Sequence, residues 1–394
     1  MKNLYEQDKK YILNTYNRLD LIIDKGEGSY VFDIDGNKYL DMYSGISVNN
    51  LGHDKGIVEA IIKQASKYMH LSNYFVSEPV VNLAKLLVEN TFASKVFFTN
   101  SGTESNEAAI KLCRKYGKQT SENKYELLSA YNSFHGRTTG SLALTGQEKY
   151  QKNFMPLIPG VSHFKYNDIE DLKAKVNKNT CGLFLEIIQG EGGIVEISKE
   201  FMNEVIKLSK KYDFLIVIDE IQAGMGRTGD LFAYEQYDFT PHIVTISKSV
   251  GGGIPLGAML VSKDVENILQ PGDHGSTFAA NPVSCAGGEY VMNKLVNTDL
   301  CNEVKSKGNY LKIKLNNLKE NYPHIIKDVR GRGLMIGVDV GLYANDIKKI
   351  AQENRLLLNS TNNTIIRLLP SLCITTDEIN EFLTIFEKIL KEVK

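Results

Sequence analysis

An α/β fold is predicted, with a mostly parallel sheet flanked by helices in a large domain and a smaller α+β C-terminal domain. Three observations predict it. Short continuous apolar runs recur through the first part of the chain, as in strands buried on both faces of a parallel sheet. Helical patterns such as Lys199–Tyr212 separate some of these runs, which gives α/β alternation. Each glycine-rich or charged cluster falls at the carboxyl end of an apolar run, where sheets of this kind bind ligands.

Taken in order, residues 96–98 form a strand ending at Thr99-Asn100-Ser101-Gly102-Thr103, and a helical pattern follows to about Lys118. Residues 125–130 read as a strand running into Phe134-His135-Gly136-Arg137. Residues 182–188 read as a buried strand leading into Gln189-Gly190-Glu191-Gly192-Gly193. The run 214–218 ends in Asp219-Glu220, the run 243–247 ends at Lys248, and Gly257–Val261 follows soon after. From about Asn281 the pattern becomes more helical, with a helix over 283–295 and short strands at 333–340 and 365–369. Thr375 with Glu378 three residues later is a capping-box signature for a last helix reaching about Glu392.

The chain has 394 residues, long enough for two domains or one large domain with a lobe. Its 46 basic and 47 acidic residues leave a net charge of -1, which offers no electrostatic footprint for nucleic acid or an anionic membrane. Cys113, Cys181, Cys285, Cys301 and Cys373 are scattered without a C-x-x-C spacing. That usage suits reduced thiols in a reducing compartment. The segment 1–10 is polar and charged, unlike a signal peptide, and no run is long enough for a membrane span. A soluble cytoplasmic protein is expected.

The clusters carry chemistry. Ser101-Gly102-Thr103 closes a strand and opens a helix, so backbone N–H groups and hydroxyls there suit a phosphate, although taken alone the triplet reads better as a plain N-cap. Gly251-Gly252-Gly253 is a poor dinucleotide loop, because Pro255 breaks the helix that should follow. Asp219 ends a buried strand, and such a carboxylate needs a partner. Lys248 holds the equivalent place after another strand; alone it reads as a surface lysine. A phosphate cradle, a lysine, a carboxylate and an aromatic ring, each at a strand end, form a set that pyridoxal phosphate requires. No second histidine or carboxylate stands at metal spacing from His53 or His135, so no metal is expected and both are read as structural.

Further stretches reinforce the set: Gly45-Ile46-Ser47-Val48-Asn49, Glu104-Ser105-Asn106-Glu107, Asp219-Glu220-Ile221-Gln222-Ala223-Gly224, Gly226-Arg227-Thr228-Gly229, Gly275-Ser276-Thr277-Phe278 and Arg367-Leu368-Leu369-Pro370. In this order and along almost the whole chain, they resemble the class III, fold-type I aminotransferases, and within them most of all the acetylornithine branch. The resemblance implies a large cofactor-binding domain over 46–290, a small domain over 291–394, and an N-terminal segment over 1–45 packing with the small domain. It implies that Gly102 and Thr103 hold the cofactor's phosphate and that Phe134 stacks on its ring. Asp219 would pair with the ring nitrogen, Gln222 with the ring hydroxyl, and Lys248 would hold the cofactor covalently and shuttle a proton. Arg137 would take the α-carboxylate of N2-acetylornithine while Glu191 masks Arg367. When glutamate or 2-oxoglutarate enters, Arg367 would be freed for its α-carboxylate. Ser276 and Thr277 would reach the neighbouring subunit's site, which implies a homodimer with shared active sites. The implied reaction belongs to arginine biosynthesis.

Ile187 stands where the family commonly has proline, Ala223 where threonine is common, and Ala279-Ala280 where two glycines are common. None removes a catalytic group. Ile46 replaces a tyrosine of the ornithine-specific branch and argues against free ornithine. Succinylornithine and 4-aminobutyrate remain alternatives by motif. A regulator of this fold would carry an added DNA-binding segment, and nothing before Gly26 is long or basic enough. Another pyridoxal-phosphate reaction, such as an aminomutase, is disfavoured by Glu191 with Arg367.

Overall fold

The computed structural model describes residues 2–393. Its centre is a seven-stranded sheet in the order Lys95–Thr99, Gly257–Val261, Ile243–Ile246, Leu215–Asp219, Thr180–Leu185, Glu126–Ala130, Val161–Phe164. Only Gly257–Val261 runs antiparallel to its neighbours. Every residue of Leu215–Asp219, Thr180–Leu185 and Ile243–Ile246 is buried, so the apolar runs mark strands covered on both faces, as expected. Helices Gly102–Thr120 and Lys199–Tyr212 are amphipathic covers of that sheet. Among the described residues, no helix is long and apolar enough to cross a membrane.

The C-terminal part is a four-stranded antiparallel sheet in the order Asp328–Arg332, Met335–Asp339, Ile365–Leu368, Asn359–Thr361. Helices Leu300–Asn321, Ala344–Glu353 and Thr376–Glu392 accompany it. The last helix opens with the expected capping box: the Glu378 N–H donates to Thr375 Oγ1 (3.2 Å) and the Thr375 N–H donates to Glu378 Oε2 (2.7 Å). Near the N-terminus, Lys38–Asp41 pairs in parallel with Leu356–Leu357.

Two strands differ from expectation. The 182–188 run breaks at Glu186, whose carboxylate turns to the N–H groups of Phe134 and Gly190, and Ile188–Gln189 pairs separately with Val195–Glu196. The 333–340 strand starts at Met335, because Gly333 (φ 56°) is the turn of a hairpin from Asp328–Arg332. A Cβ on Gly333 would meet Thr228 C at 2.5 Å. Asp328–Arg332 is too charged for its apolar pattern to reveal it.

One buried cation ties these parts together. Arg227 is fully buried. Its Nε donates to Ser47 Oγ (3.0 Å), Nη1 to the carbonyls of Leu334 (3.1 Å) and Pro370 (2.5 Å), and Nη2 to Asn50 Oδ1 (2.5 Å). Burial lowers its pKa to about 9, so it is still charged at neutral pH. Ser44, Gly45, Ile46 and Ser47 have φ of 47°, 62°, 61° and 66°. Such a left-handed turn costs about 1 kcal/mol or more for each residue other than glycine, and persists only where neighbours over-determine it. Asp41 Oδ1 accepts the N–H groups of Tyr43 and Ser44 (both 2.9 Å) on one side, and Arg227 holds Ser47 on the other.

Arg227→Met should therefore lower stability by about 3 kcal/mol or more, since it strands several buried acceptors at once. The urea midpoint is the measurement. A shift worth less than about 0.5 kcal/mol would mean that the acceptors find other partners.

Candidate active site

The strand ends converge on a cavity of about 250 Å³ lined in part by Gly102, Thr103, Phe134, Asp219, Gln222 and Lys248. Arg137 and Glu191 also border it, as do His135 and Glu186. Arg367 stands behind this wall and reaches it through Glu191 and Gln222. Ser276 and Thr277 do not line it; Ser276 Oγ accepts from Asn100 Nδ2 (2.8 Å).

The helix Gly102–Thr120 starts at the cavity, with Ser101 as its N-cap. The N–H groups of its first turn have no intrahelical acceptor and carry the positive end of the helix dipole, so that end suits an anion. Thr103 Oγ1 lies 2.9 Å from Thr138 Oγ1.

Asp219 sits at the end of its strand, 4% exposed. Its Oδ2 accepts from Asn106 Nδ2 and lies against His135 Nδ1, both at 2.8 Å, and Oδ1 accepts the Ile221 N–H at 3.0 Å. Burial disfavours the imidazolium of His135, yet the hydrogen bond and charge of Asp219 outweigh it and raise its pKa. His135 thus belongs to the site as the residue that fixes Asp219, a role its sequence spacing did not signal. His53, in contrast, packs against Gly26, where an added Cβ would meet its ring at 2.3 Å.

Lys248 follows its strand with a strained φ of 54°. Burial pushes its amine down to about 8, opposed by the negative charges of Glu191 and Asp219. Glu186 was not singled out by sequence. Burial raises its carboxyl to about 7, and it accepts the N–H groups of Phe134 (3.1 Å) and Gly190 (3.3 Å). It therefore joins the loop carrying the aromatic face to the loop carrying Glu191.

The two arginines differ sharply. Arg137 is exposed, its guanidinium carbon 4.0 Å from the Tyr150 ring centroid and 5.6 Å from that of Phe134. Arg367 is 1% exposed. Its Nη1 pairs with Glu191 Oε1 and donates to Gln222 Oε1 (3.1 Å). Burial works against the Glu191 carboxylate, but the charge and hydrogen bond of Arg367 win and lower its pKa. Gln222, expected on a cofactor hydroxyl, is thus also a member of this cluster. One cation stands open and the other is masked by a carboxylate.

Comparison with known proteins agrees with this geometry. The family model described as aminotransferase class-III matches residues 11–390. The chain is 45% identical over 390 residues to an acetylornithine aminotransferase of Caldanaerobacter subterraneus subsp. tengcongensis, covering 98% of this chain and 99% of that one. The crystal structure of N-acetylornithine aminotransferase from Stenotrophomonas maltophilia K279a superposes with a TM-score of 0.85 at 32% identity, covering 98% of each chain. The ornithine aminotransferase of Toxoplasma gondii ME49 superposes with a TM-score of 0.95 at 29% identity, covering 99% of this chain and 95% of that one.

The buried amine has a measurable signature. Neutral amine is the nucleophile, so acylation of Lys248 in protein freed of small molecules should rise with pH to half its maximum near pH 8. Exposed lysines should rise only toward about pH 10.4. Peptide mass spectrometry after timed labelling reads this directly; Lys248 tracking the exposed lysines would show that the cavity does not disfavour its charge.

Proposed function

Because the chain belongs to the class-III aminotransferase family, we propose that it transfers the δ-amino group of N2-acetyl-L-ornithine to 2-oxoglutarate, giving N-acetyl-L-glutamate 5-semialdehyde and L-glutamate. The observation that carries this reading is the pair of arginines, with Arg137 open and Arg367 masked by Glu191. An ω-amino donor and a dicarboxylate must use one site in turn, and this arrangement distinguishes them.

The residues fit pyridoxal 5′-phosphate. A helix N-terminus, a buried carboxylate, an aromatic face and an amine of lowered pKa border one cavity. When bound, the cofactor supplies an electron-withdrawing ring conjugated to the carbon that bears the reacting amine. Gly102 and Thr103 would hold its phosphate, and Phe134 would cover a face of its ring. Asp219, fixed by His135 and Asn106, would keep the ring nitrogen protonated, and Gln222 would meet the ring hydroxyl. Lys248 would hold the cofactor covalently, and its free amine would take the proton from the substrate's δ-carbon. Such acid–base help is typically worth about 10²–10⁴-fold, and the low pKa of Lys248 keeps a useful fraction of neutral base near pH 8.

Arg137 takes the α-carboxylate of the acetylated donor, which directs the δ-amine inward. For glutamate, the α-carboxylate displaces Glu191 from Arg367 and the side-chain carboxylate takes Arg137. Guanidinium suits both tasks, because it binds carboxylate bidentately and keeps its charge. Ser276 and Thr277 serve the partner subunit of a homodimer in this reading. Support comes from the exposed Met69, Tyr74, Phe75, Val76 and Phe278, apolar side chains on the segments around the Asn73–Ser276 hydrogen bond. The cofactor-binding domain is assigned to 46–290 and the small domain to 291–394, with the segment 1–45 packing with the small domain.

The substrate assignment is tested by a panel of amino donors with 2-oxoglutarate. Acetylornithine should give the highest kcat/KM, above ornithine, succinylornithine and 4-aminobutyrate; a higher value for ornithine would overturn it. The switch is tested by two variants. Glu191→Ala leaves Arg367 open, so the ratio of glutamate to acetylornithine kcat/KM in single turnovers should rise by about tenfold or more. Arg367→Ala should cripple the glutamate half-reaction and spare the other. Equal losses in both half-reactions for both variants would reduce the pair to a structural role.

A further inference from the structure

Arg367 has five N–H donors, and the edge at Nη1 is spent on Glu191, Gln222 and the Gly190 carbonyl (3.4 Å). The opposite edge is held by one atom: Asn359 Oδ1 accepts from Arg367 Nη2 at 2.6 Å and from Nε at 3.2 Å. The contact follows from register. Asn359 lies directly opposite Arg367 across the antiparallel pair of Asn359–Thr361 with Ile365–Leu368, so the two side chains share a face. Thr361, two residues on and therefore on that same face, donates its hydroxyl to the main-chain carbonyl of Glu191 at 2.8 Å. One three-residue strand thus grips the guanidinium from behind and the backbone of the residue that masks it.

We infer that the strand Asn359–Thr361 is the fixed anchor of the Glu191–Arg367 pair, with Asn359 and Thr361 as positioning residues for carboxylate recognition. The inference rests on the reading of that pair as a substrate switch. Its physical content is a division of labour. With Nε and Nη2 held by Asn359, the guanidinium cannot rotate, and an incoming carboxylate meets the same edge that Glu191 leaves. With its carbonyl held by Thr361, Glu191 exchanges by moving its side chain while its backbone stays. The choice of an amide matters. A carboxylate at position 359 would neutralise Arg367 permanently and compete with substrate, whereas the amide oxygen orients the cation without discharging it. A plain aliphatic would leave the Nε–Nη2 edge buried and unpaired.

The test uses the holoenzyme, with glutarate as an unreactive dicarboxylate probe in calorimetry and single-turnover kinetics for each half-reaction. Asn359→Leu should weaken glutarate binding by about tenfold and raise KM for the dicarboxylate acceptor by a similar factor, with the acetylornithine half-reaction changed less than about twofold. Asn359→Asp, nearly isosteric, should also weaken glutarate, because it masks the cation. Placed in the Glu191→Ala background, Asn359→Asp should restore the preference for acetylornithine that Glu191→Ala loses, an effect that no general loosening of the fold produces. Thr361→Val should slow the glutamate half-reaction in kcat more than in KM. Glutarate affinity unchanged in both Asn359 variants, or equal losses in both half-reactions, would overturn the anchor while the switch survives. Arg367→Ala with unchanged glutarate affinity would instead bring down the switch itself, and the anchor with it.

Discussion

The buried guanidinium of Arg227 is the constraint on which the site's dimensions depend. It is a cation without a carboxylate in its hydrogen-bonding shell, satisfied by Ser47, Asn50 and the carbonyls of Leu334 and Pro370. Those acceptors come from the left-handed N-terminal turn and the residues just after it, the hairpin of the C-terminal sheet, and the segment that follows the Arg367 strand. Arg227 itself belongs to the loop that leaves Asp219 and Gln222. A single side chain therefore relates the strand end that carries Asp219 to the strand that carries Arg367. A carboxylate partner would satisfy the charge more simply but would bind one element; neutral acceptors from several elements make the cation a junction.

Within the cavity the charges are arranged so that few are free. Asp219 is held by His135 and Asn106, Glu186 by two backbone N–H groups, and Glu191 by Arg367. Amides stand between the charged groups: Asn106 at Asp219, Gln222 between Arg367 and the cavity, Asn359 behind Arg367. An amide donates or accepts without discharging its neighbour, so Lys248 and Arg137 retain their roles in a crowded electrostatic setting. The depressed amine of Lys248 is the consequence that matters for chemistry, since burial outweighs the nearby carboxylates.

The parallel sheet and its ligand-binding edge were legible because strands buried on both faces write themselves as unbroken apolar runs. Lys248 and Asp219 could be placed at strand ends for the same reason, and their roles came from the order of motifs. The parts that escaped share one property: their function lies in a partner far along the chain. His135 reads as a lone histidine until the fold sets it against Asp219, 84 residues away. Asn359 reads as an ordinary turn-former until register places it opposite Arg367. Glu186 hides inside an apolar run, and the left-handed turn at Ser44–Ser47 includes Ile46, whose β-branched side chain speaks against that backbone. Local pattern reports periodicity and propensity; it does not report which buried polar groups meet.

The same crowding of charge supports the proposed preference for an acylated donor over free ornithine, although the fold superposes closely on an ornithine aminotransferase. Free ornithine would bring a second ammonium beside the α-carboxylate that is proposed to meet Arg137. Placing that charge in a confined site requires an anion or several acceptors, or its desolvation goes uncompensated. Each carboxylate bordering the cavity already has its own partners, and taking Glu191 would unmask Arg367 and invite the α-carboxylate to the wrong place. Acetylation removes the positive charge and leaves a neutral amide, whose polar groups are satisfied at lower cost. Arg137, flanked by Tyr150 and Phe134, then offers a carboxylate site whose surroundings are aromatic, which an acetyl methyl tolerates and an ammonium gains from only through the ring faces. Discrimination in this site comes from what it declines to solvate as much as from what it binds.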